Sequence, residues 1–207
     1  MVSALPLSRT TALLCGGSAG IGYATARALA CAGVPRLMLV GRTQARGNVA
    51  VQQIQEIAPE ADVRYTSADV TTAAGAATAV ASAIDAFGSV DLLVNTGGGT
   101  GMPELFHRSP LEGLTTGLDG LIRGILLPCR AVLPHMMERR RGSIVNVASD
   151  AGKIATPGEA IIGAGSASVT LALCVTLCSH ADTRSPPRRR SGRGDDVLTS
   201  AGAGSEA

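Results

Sequence analysis

The stretch CGGSAGIG, residues 15–22, stands between a short apolar run, Thr11 to Cys15, and a segment carrying Ile21, Ala24, Ala28, Leu29 and Ala32 at helical spacing. That segment stops at Gly33, a residue suited to closing a helix. Glycines at 16, 20 and 22 let a chain turn tightly, let backbone amides approach a pyrophosphate, and let the helix sit close to the sheet. A glycine cluster alone marks many turns. Between a strand and a helix it stands where anion binding at a helix N-terminus requires it.

Outward from this loop, apolar β-type runs recur at Leu37 to Val40, Val63 to Ser67, Leu92 to Asn95 and Ser143 to Ala148, separated by helical stretches. Continuous apolar strands alternating with helices predict a parallel sheet covered on both faces. Leu111 to Arg141 predicts a long helix that Pro128 should kink or break. Arg139, Arg140 and Arg141 close it with positive charge, which suits a helix C-terminus. No aromatic or further basic stripe accompanies them, so nucleic-acid contact is not expected.

The chain has 207 residues, enough for one domain with a tail, and 45% of them are hydrophobic. Aromatic residues make up only 2%, so the core must be built from small aliphatic side chains, and stacking platforms for bases are not expected. Lysine and arginine number 18, and Lys153 is the only lysine. Cys15, Cys31, Cys129, Cys174 and Cys178 are odd in number and form no CxxC pair. They read as small buried hydrophobes in a reducing cytoplasm. Cys174, Cys178 and His180 share a helical spacing, but with no fourth ligand evident no metal is expected. Residues 160–179 are long enough to span a bilayer, yet their Gly, Ala, Ser and Thr content favours a soluble helix. No secretory signal pattern opens the chain.

After residue 178 the composition changes to paired prolines, clustered arginines and few apolar side chains. A folded domain over 1–178 and a disordered tail over 179–207 are expected.

At the end of the second run stands VGRT, residues 40–43. A carboxylate there would accept hydrogen bonds from an adenosine ribose, whereas the guanidinium of Arg42 can pair with a 2'-phosphate, favouring NADP(H) over NAD(H). An exposed strand-end arginine is the alternative. With GGSAGIG at 16–22, Asp69 in SADVT, NTGG at 95–98 and SIVNVAS at 143–149, the chain resembles the short-chain dehydrogenase/reductase family over about residues 10 to 178. The resemblance implies a Rossmann-like, doubly wound α/β fold. It further implies that Gly16, Ser18, Ile21 and Gly22 line the pyrophosphate loop, Arg42 the adenosine phosphate, and Asp69 and Val70 the adenine. Asn95 and Gly97 would then stand beside the nicotinamide ribose. The family usually has NNAG where this chain has NTGG, and threonine where it has Cys15.

In this family a tyrosine moves the proton, a lysine tunes it and grips the ribose, a serine holds the substrate oxygen, and an asparagine supports a water relay. Ser149 matches the serine. The usual spacing puts Ile162 at the tyrosine position and Ser166 at the lysine position, and Leu121 falls at the asparagine position. Tyr23 and Tyr65, the only tyrosines, belong to the first helix and third strand. Glu159, in the same loop region as Ser149, Asp150 and Lys153, has two readings. A desolvated carboxyl can replace the tyrosine as acid, or the side chain caps and complements a helix start.

The family continues after this helix with two more strands, whose absence here would leave the fifth strand as an edge. A frameshift near residue 178 or a truncated gene is one expectation for the abrupt change. The reading is an oxidoreductase of a small-molecule carbonyl or alcohol, binding no nucleic acid and no membrane, with homo-oligomers expected through the long helices. The alternatives are a non-catalytic nucleotide-binding or partner-binding remnant of the family, and an incomplete product that does not fold stably.

Overall fold

The computed structural model describes residues 5–97 and 103–182, with side chains in the last helix to Leu171. Two units divide the chain, Met1–Leu173 and Cys174–Ala207, and the fold below is that of the first.

Five strands, β1 (Thr11–Cys15), β2 (Arg36–Gly41), β3 (Asp62–Ser67), β4 (Leu92–Asn95) and β5 (Ser143–Asn146), form one sheet in the order β3-β2-β1-β4-β5. Every neighbouring pair is parallel. The helices are α1 (Gly20–Cys31), α2 (Gln44–Ile57), α3 (Ala73–Phe87), α4 (Leu111–Glu138) and α5 (Ala160–Asp182). The doubly wound α/β architecture is thus as the strand and helix pattern predicts.

The alternation of strand side chains divides the core in two. Leu13, Cys15, Met38, Val40 and Leu93 join Ala79 and Ala83 of α3, Ile125, Cys129 and Val132 of α4, and Val169 of α5 on one face. Ala12, Leu14, Leu37, Leu39 and Val94 join Ala26 and Ala30 of α1 and Ala50 and Ile54 of α2 on the other. All five residues of β1 are buried, because the strand lies mid-sheet between two helical layers. The alanines facing it let the helices approach closely where large aromatics are lacking. By contrast β5 is an edge strand among the described residues, and its Val145 is 48% exposed.

The sheet reverses its winding between β1 and β4, so the crevice at their carboxyl ends is where such a fold places ligands. Gly33 (φ 86°) follows α1, and the left-handed Gly88 caps α3, whose start Thr72 caps by accepting the Gly75 amide at 3.0 Å.

Three expectations need correction. Cys31 is exposed at the end of α1 and not buried. Pro128 neither ends nor divides α4, which runs unbroken from Leu111 to Glu138 with Pro128 and Pro134 inside it. Pro128 is buried beside Cys129, Ile125 and Val132, and that packing outweighs the loss of one main-chain hydrogen bond. The arginine run does more than complement the helix dipole: Arg139 Nη2 and Arg141 Nε lie 3.3 and 3.2 Å from Oδ1 of Asp91, which is buried at the start of β4. Arg140 between them adopts a left-handed conformation (φ 52°).

No helix among the described residues is long and apolar enough to cross a membrane. Residues 183–207, most of the expected tail, lie outside the described residues, as do the side chains of Cys174, Cys178 and His180.

Candidate active site

The glycine loop closes β1 against α1 as its spacing demands. Gly16 and Gly17 both donate their amides to the Val40 carbonyl, at 2.9 and 3.2 Å, holding the loop against β2. A side chain on Gly22 would strike the Gly16 carbonyl and Thr96 Oγ1, and one on Gly16 (φ 84°) would lie 2.7 Å from the same oxygen. These two glycines therefore serve the close approach of helix and strand. Gly20 (φ 52°) instead faces open space, and Ile21 beside it is 63% exposed.

Ala19, at the N-cap of α1, has no side chain that could accept a hydrogen bond from the first turn. The amides of that turn are left for an external acceptor, which a pyrophosphate fits in both charge and geometry. Thr96, where the family has its second asparagine, donates Oγ1 to the Cys15 carbonyl at 2.9 Å and ties the two loops together. Gly97 sits against Gly16, so a Cβ there would meet the Gly16 amide nitrogen at 3.5 Å.

Beyond β2, Arg42 is exposed and its carbonyl accepts from Ser67 Oγ at 3.2 Å. Asp69 accepts from both the amide and the hydroxyl of Thr71, at 3.0 and 2.7 Å. Those bonds hold its carboxyl below the usual range, with a smaller contribution from the Arg42 charge. Ser18 meets Gly41 and Tyr65: a Cβ on Gly41 would lie 2.9 Å from Ser18 Oγ and 3.0 Å from the Tyr65 hydroxyl. Val70 is buried beneath this end of the crevice.

Asn95 is fully buried and donates Nδ2 to Asn146 Oδ1 at 2.7 Å and to Cys129 Sγ at 3.3 Å. The two strand ends are locked side by side. Burial pushes the Cys129 thiol up to about 11, against the lowering effect of Asn146 and Asn95. Burial, reinforced by the nearby Cys129, pushes Cys15 up to about 12.

Past β5, Ser149 begins a short 3-10 turn, Asp150–Gly152, and accepts the Ala151 amide at 3.2 Å. Its hydroxyl lies 3.2 Å from Glu159 Oε2 and 3.4 Å from Asp150 Oδ1. Glu159 gives α5 its main-chain start, since its carbonyl accepts from Gly163 at 2.7 Å. Its carboxylate does not cap that helix but reaches back to Ser149. A cleft of about 470 Å³ opens beside it, lined by Ala151, Thr156, Pro157, Glu159, Ala160 and Ala164 among others.

Ser166, at the lysine position, is 5% exposed, and its Oγ accepts the Ser149 amide at 3.2 Å. Leu121 packs against Gly165, where a Cβ would approach its own at 3.0 Å, so α4 brings the asparagine position to α5. Tyr65 lies on β3, at the opposite edge of the sheet from β5, and donates to the Thr43 carbonyl. Four inter-strand steps of about 4.8 Å separate those edges, far too much for Tyr65 to serve Ser149. Sequence reasoning missed Ser166, Thr96 as a tether, and the Asn95–Asn146–Cys129 contact. The first two stood at family positions as departures, which was the available signal.

The short chain dehydrogenase family model matches residues 10–175. Among similar curated proteins is the 3-oxoacyl-[acyl-carrier-protein] reductase of Synechocystis sp., 32% identical over 79% of this chain and 65% of that protein. Among solved structures, an NADPH-bound short chain oxidoreductase from Pseudomonas aeruginosa PAO1, described as containing an atypical catalytic center, superposes with a TM-score of 0.79. It is 26% identical, over 84% of this chain and 67% of that one. NAD+-bound xylitol dehydrogenase gives a TM-score of 0.75 at 27% identity, over 83% of this chain and 64% of that one. Among the similar curated relatives the matched part of the chain covers from 38% to 68% of their length.

Proposed function

The chain belongs to the short-chain dehydrogenase family, and on that premise we propose that it is an NADP(H)-dependent oxidoreductase of a small carbonyl or alcohol in which Ser149 keeps the role of the family serine and Glu159 stands in for the tyrosine as proton donor and acceptor. The observation that carries this reading is the 3.2 Å contact between Ser149 Oγ and Glu159 Oε2, at the carboxyl end of the sheet.

Gly16, Ser18, Ile21 and Gly22 would hold the dinucleotide pyrophosphate at the uncapped start of α1. Arg42 would pair with the adenosine phosphate, Asp69 and Val70 would flank the adenine, and Asn95 and Gly97 would stand beside the nicotinamide ribose. A bound nicotinamide supplies or accepts the hydride. Ser149 orients the substrate oxygen by hydrogen bonding. In alcohol oxidation the Ser149 hydroxyl takes the substrate proton as its own passes to the Glu159 carboxylate; in reduction the protonated Glu159 returns it. The open cleft lined by Glu159 offers room for a small substrate. Arg42 supports NADP(H), while the similar structures include both an NADPH and an NAD+ complex. The reading places the enzyme in the cytoplasm, as a self-associating protein.

The test is NADPH titration by fluorescence, then stopped-flow NADPH oxidation against a panel of ketones. Expected are saturable binding and turnover that Ser149→Ala abolishes. Binding without turnover would support the second reading, a nucleotide-binding remnant, which Ile162, Ser166 and Leu121 at the three family positions favour.

A further inference from the structure

We infer that Ser166 is a positioning residue for Ser149: its hydroxyl anchors the Ser149 main chain and so sets the Ser149 hydroxyl between substrate and Glu159. This rests on the functional reading given above for Ser149.

Ser149 follows the last ladder position of β5 and precedes a turn, so its amide has no sheet partner to fix it. The Ser166 Oγ, from a side chain 5% exposed and 17 residues further along the chain, accepts that amide at 3.2 Å. The bond satisfies a half-buried amide that has no main-chain partner among the described residues, which makes the contact a constraint and not a chance approach. Two further bonds complete the geometry. One lone pair of Ser149 Oγ receives the Ala151 amide at 3.2 Å, and the hydroxyl lies 3.2 Å from its nearer acceptor, Glu159 Oε2, with Asp150 Oδ1 at 3.4 Å. Ser166 fixes where the residue stands, Ala151 fixes its side-chain torsion, and Glu159 takes the proton.

The seat is tight by construction. A Cβ on Gly152 would fall 2.9 Å from Ser166 Cβ and 2.8 Å from the Ala167 amide nitrogen, and one on Gly163 would fall 2.7 Å from the Ala151 carbonyl. Only with glycine at both points can the turn and α5 come close enough for a side chain as short as serine to bridge them. The position that departs from the family lysine thus holds a residue that acts through Ser149, touching neither substrate nor cofactor.

The experiment compares Ser166→Ala and Ser166→Thr with the unaltered chain in ketone reduction by NADPH, alongside Ser149→Ala and a Ser149→Ala/Ser166→Ala double variant. In Ser166→Ala, kcat should fall about tenfold or more, as small misplacements of a reacting group do, with KM and NADPH affinity unchanged and the melting temperature lowered only slightly by the lost bond. Ser166→Thr should recover most of the rate. The double variant should be no slower than Ser149→Ala, and hydrogen exchange at the Ser149 amide should quicken in Ser166→Ala. The proposal is overturned by an unchanged kcat or an unchanged Ser149 amide in Ser166→Ala. It is equally overturned by a loss of rate that comes with weaker NADPH binding or with unfolding at the assay temperature. Should the unaltered chain turn over no ketone, or Ser149→Ala keep its full rate, the functional reading falls first and this proposal with it.

Discussion

Ser149 and Glu159 meet side chain to side chain at 3.2 Å, across ten residues of chain that include the whole turn between β5 and α5. Glu159 stands at a helix start, where a carboxylate ordinarily turns inward to the first amides. Here its main chain begins the helix while its side chain serves the serine. A proton acceptor or donor therefore lies beside Ser149 even though Ile162 occupies the tyrosine position.

Glu159→Gln tests that pairing, because the amide keeps the size and hydrogen-bonding reach of the carboxylate but cannot take up a proton. On the proposed function, kcat for ketone reduction falls about a hundredfold, while NADPH affinity and thermal stability stay at their original values. A glutamine variant that retains full kcat would leave Glu159 only a structural part.

Arg42 decides cofactor preference if it meets a 2'-phosphate. Charge-assisted hydrogen bonds of this kind are worth about 1.5–3 kcal/mol, so Arg42→Ala should weaken NADPH binding by roughly ten- to a hundredfold and leave NADH binding unchanged. Fluorescence titration with both cofactors reads the difference directly. Equal losses for the two would mean that Arg42 stabilises the loop instead.

The strands and the glycine loop were legible because their signals are local. Ala12–Cys15 and Leu93–Val94 are apolar runs that the sheet buries, and Gly16 and Gly22 sit where strand and helix must touch. Pro128 misled because its propensity opposes a helix that tertiary burial then retains. Ser166 was visible only as a missing lysine, since its partner is a main-chain amide 17 residues away, and no periodicity encodes such a contact. The arginine run carried one charge signal with two readings, and only the sheet shows which carboxylate it answers.

Burial separates the free thiols. Cys15 and Cys129 are pushed up to about 12 and about 11, so at pH 8 both remain protonated and enclosed, while Cys31 is exposed. Brief iodoacetamide treatment at that pH, followed by peptide mapping, should label Cys31 and leave Cys15 and Cys129 unmodified. Labelling of Cys129 at the rate of Cys31 would show that α4 opens from the sheet under native conditions.

Asp91 holds the far end of the sheet, and its removal should cost more than any surface ion pair. Its side chain is 5% exposed. Oδ2 accepts the Thr11 amide at 3.1 Å and the Ser89 hydroxyl at 3.4 Å, while Oδ1 faces Arg139 and Arg141. Deleting the carboxylate strands a buried amide of the central strand and leaves two guanidinium groups facing each other. Breaking a buried pair in this way costs about 3–5 kcal/mol, and the low end applies because Arg141 is 43% exposed and partly screened by water. Asp91→Ala should therefore lower unfolding free energy in urea by about 3 kcal/mol. Arg141→Ala, which leaves Arg139 in place, should cost less than about 1 kcal/mol. The order matters more than either value: if Arg141→Ala proves as damaging as Asp91→Ala, the carboxylate is held by the arginines and not by the strand amide, and β4 would depend on the α4 to β5 turn for its place in the sheet.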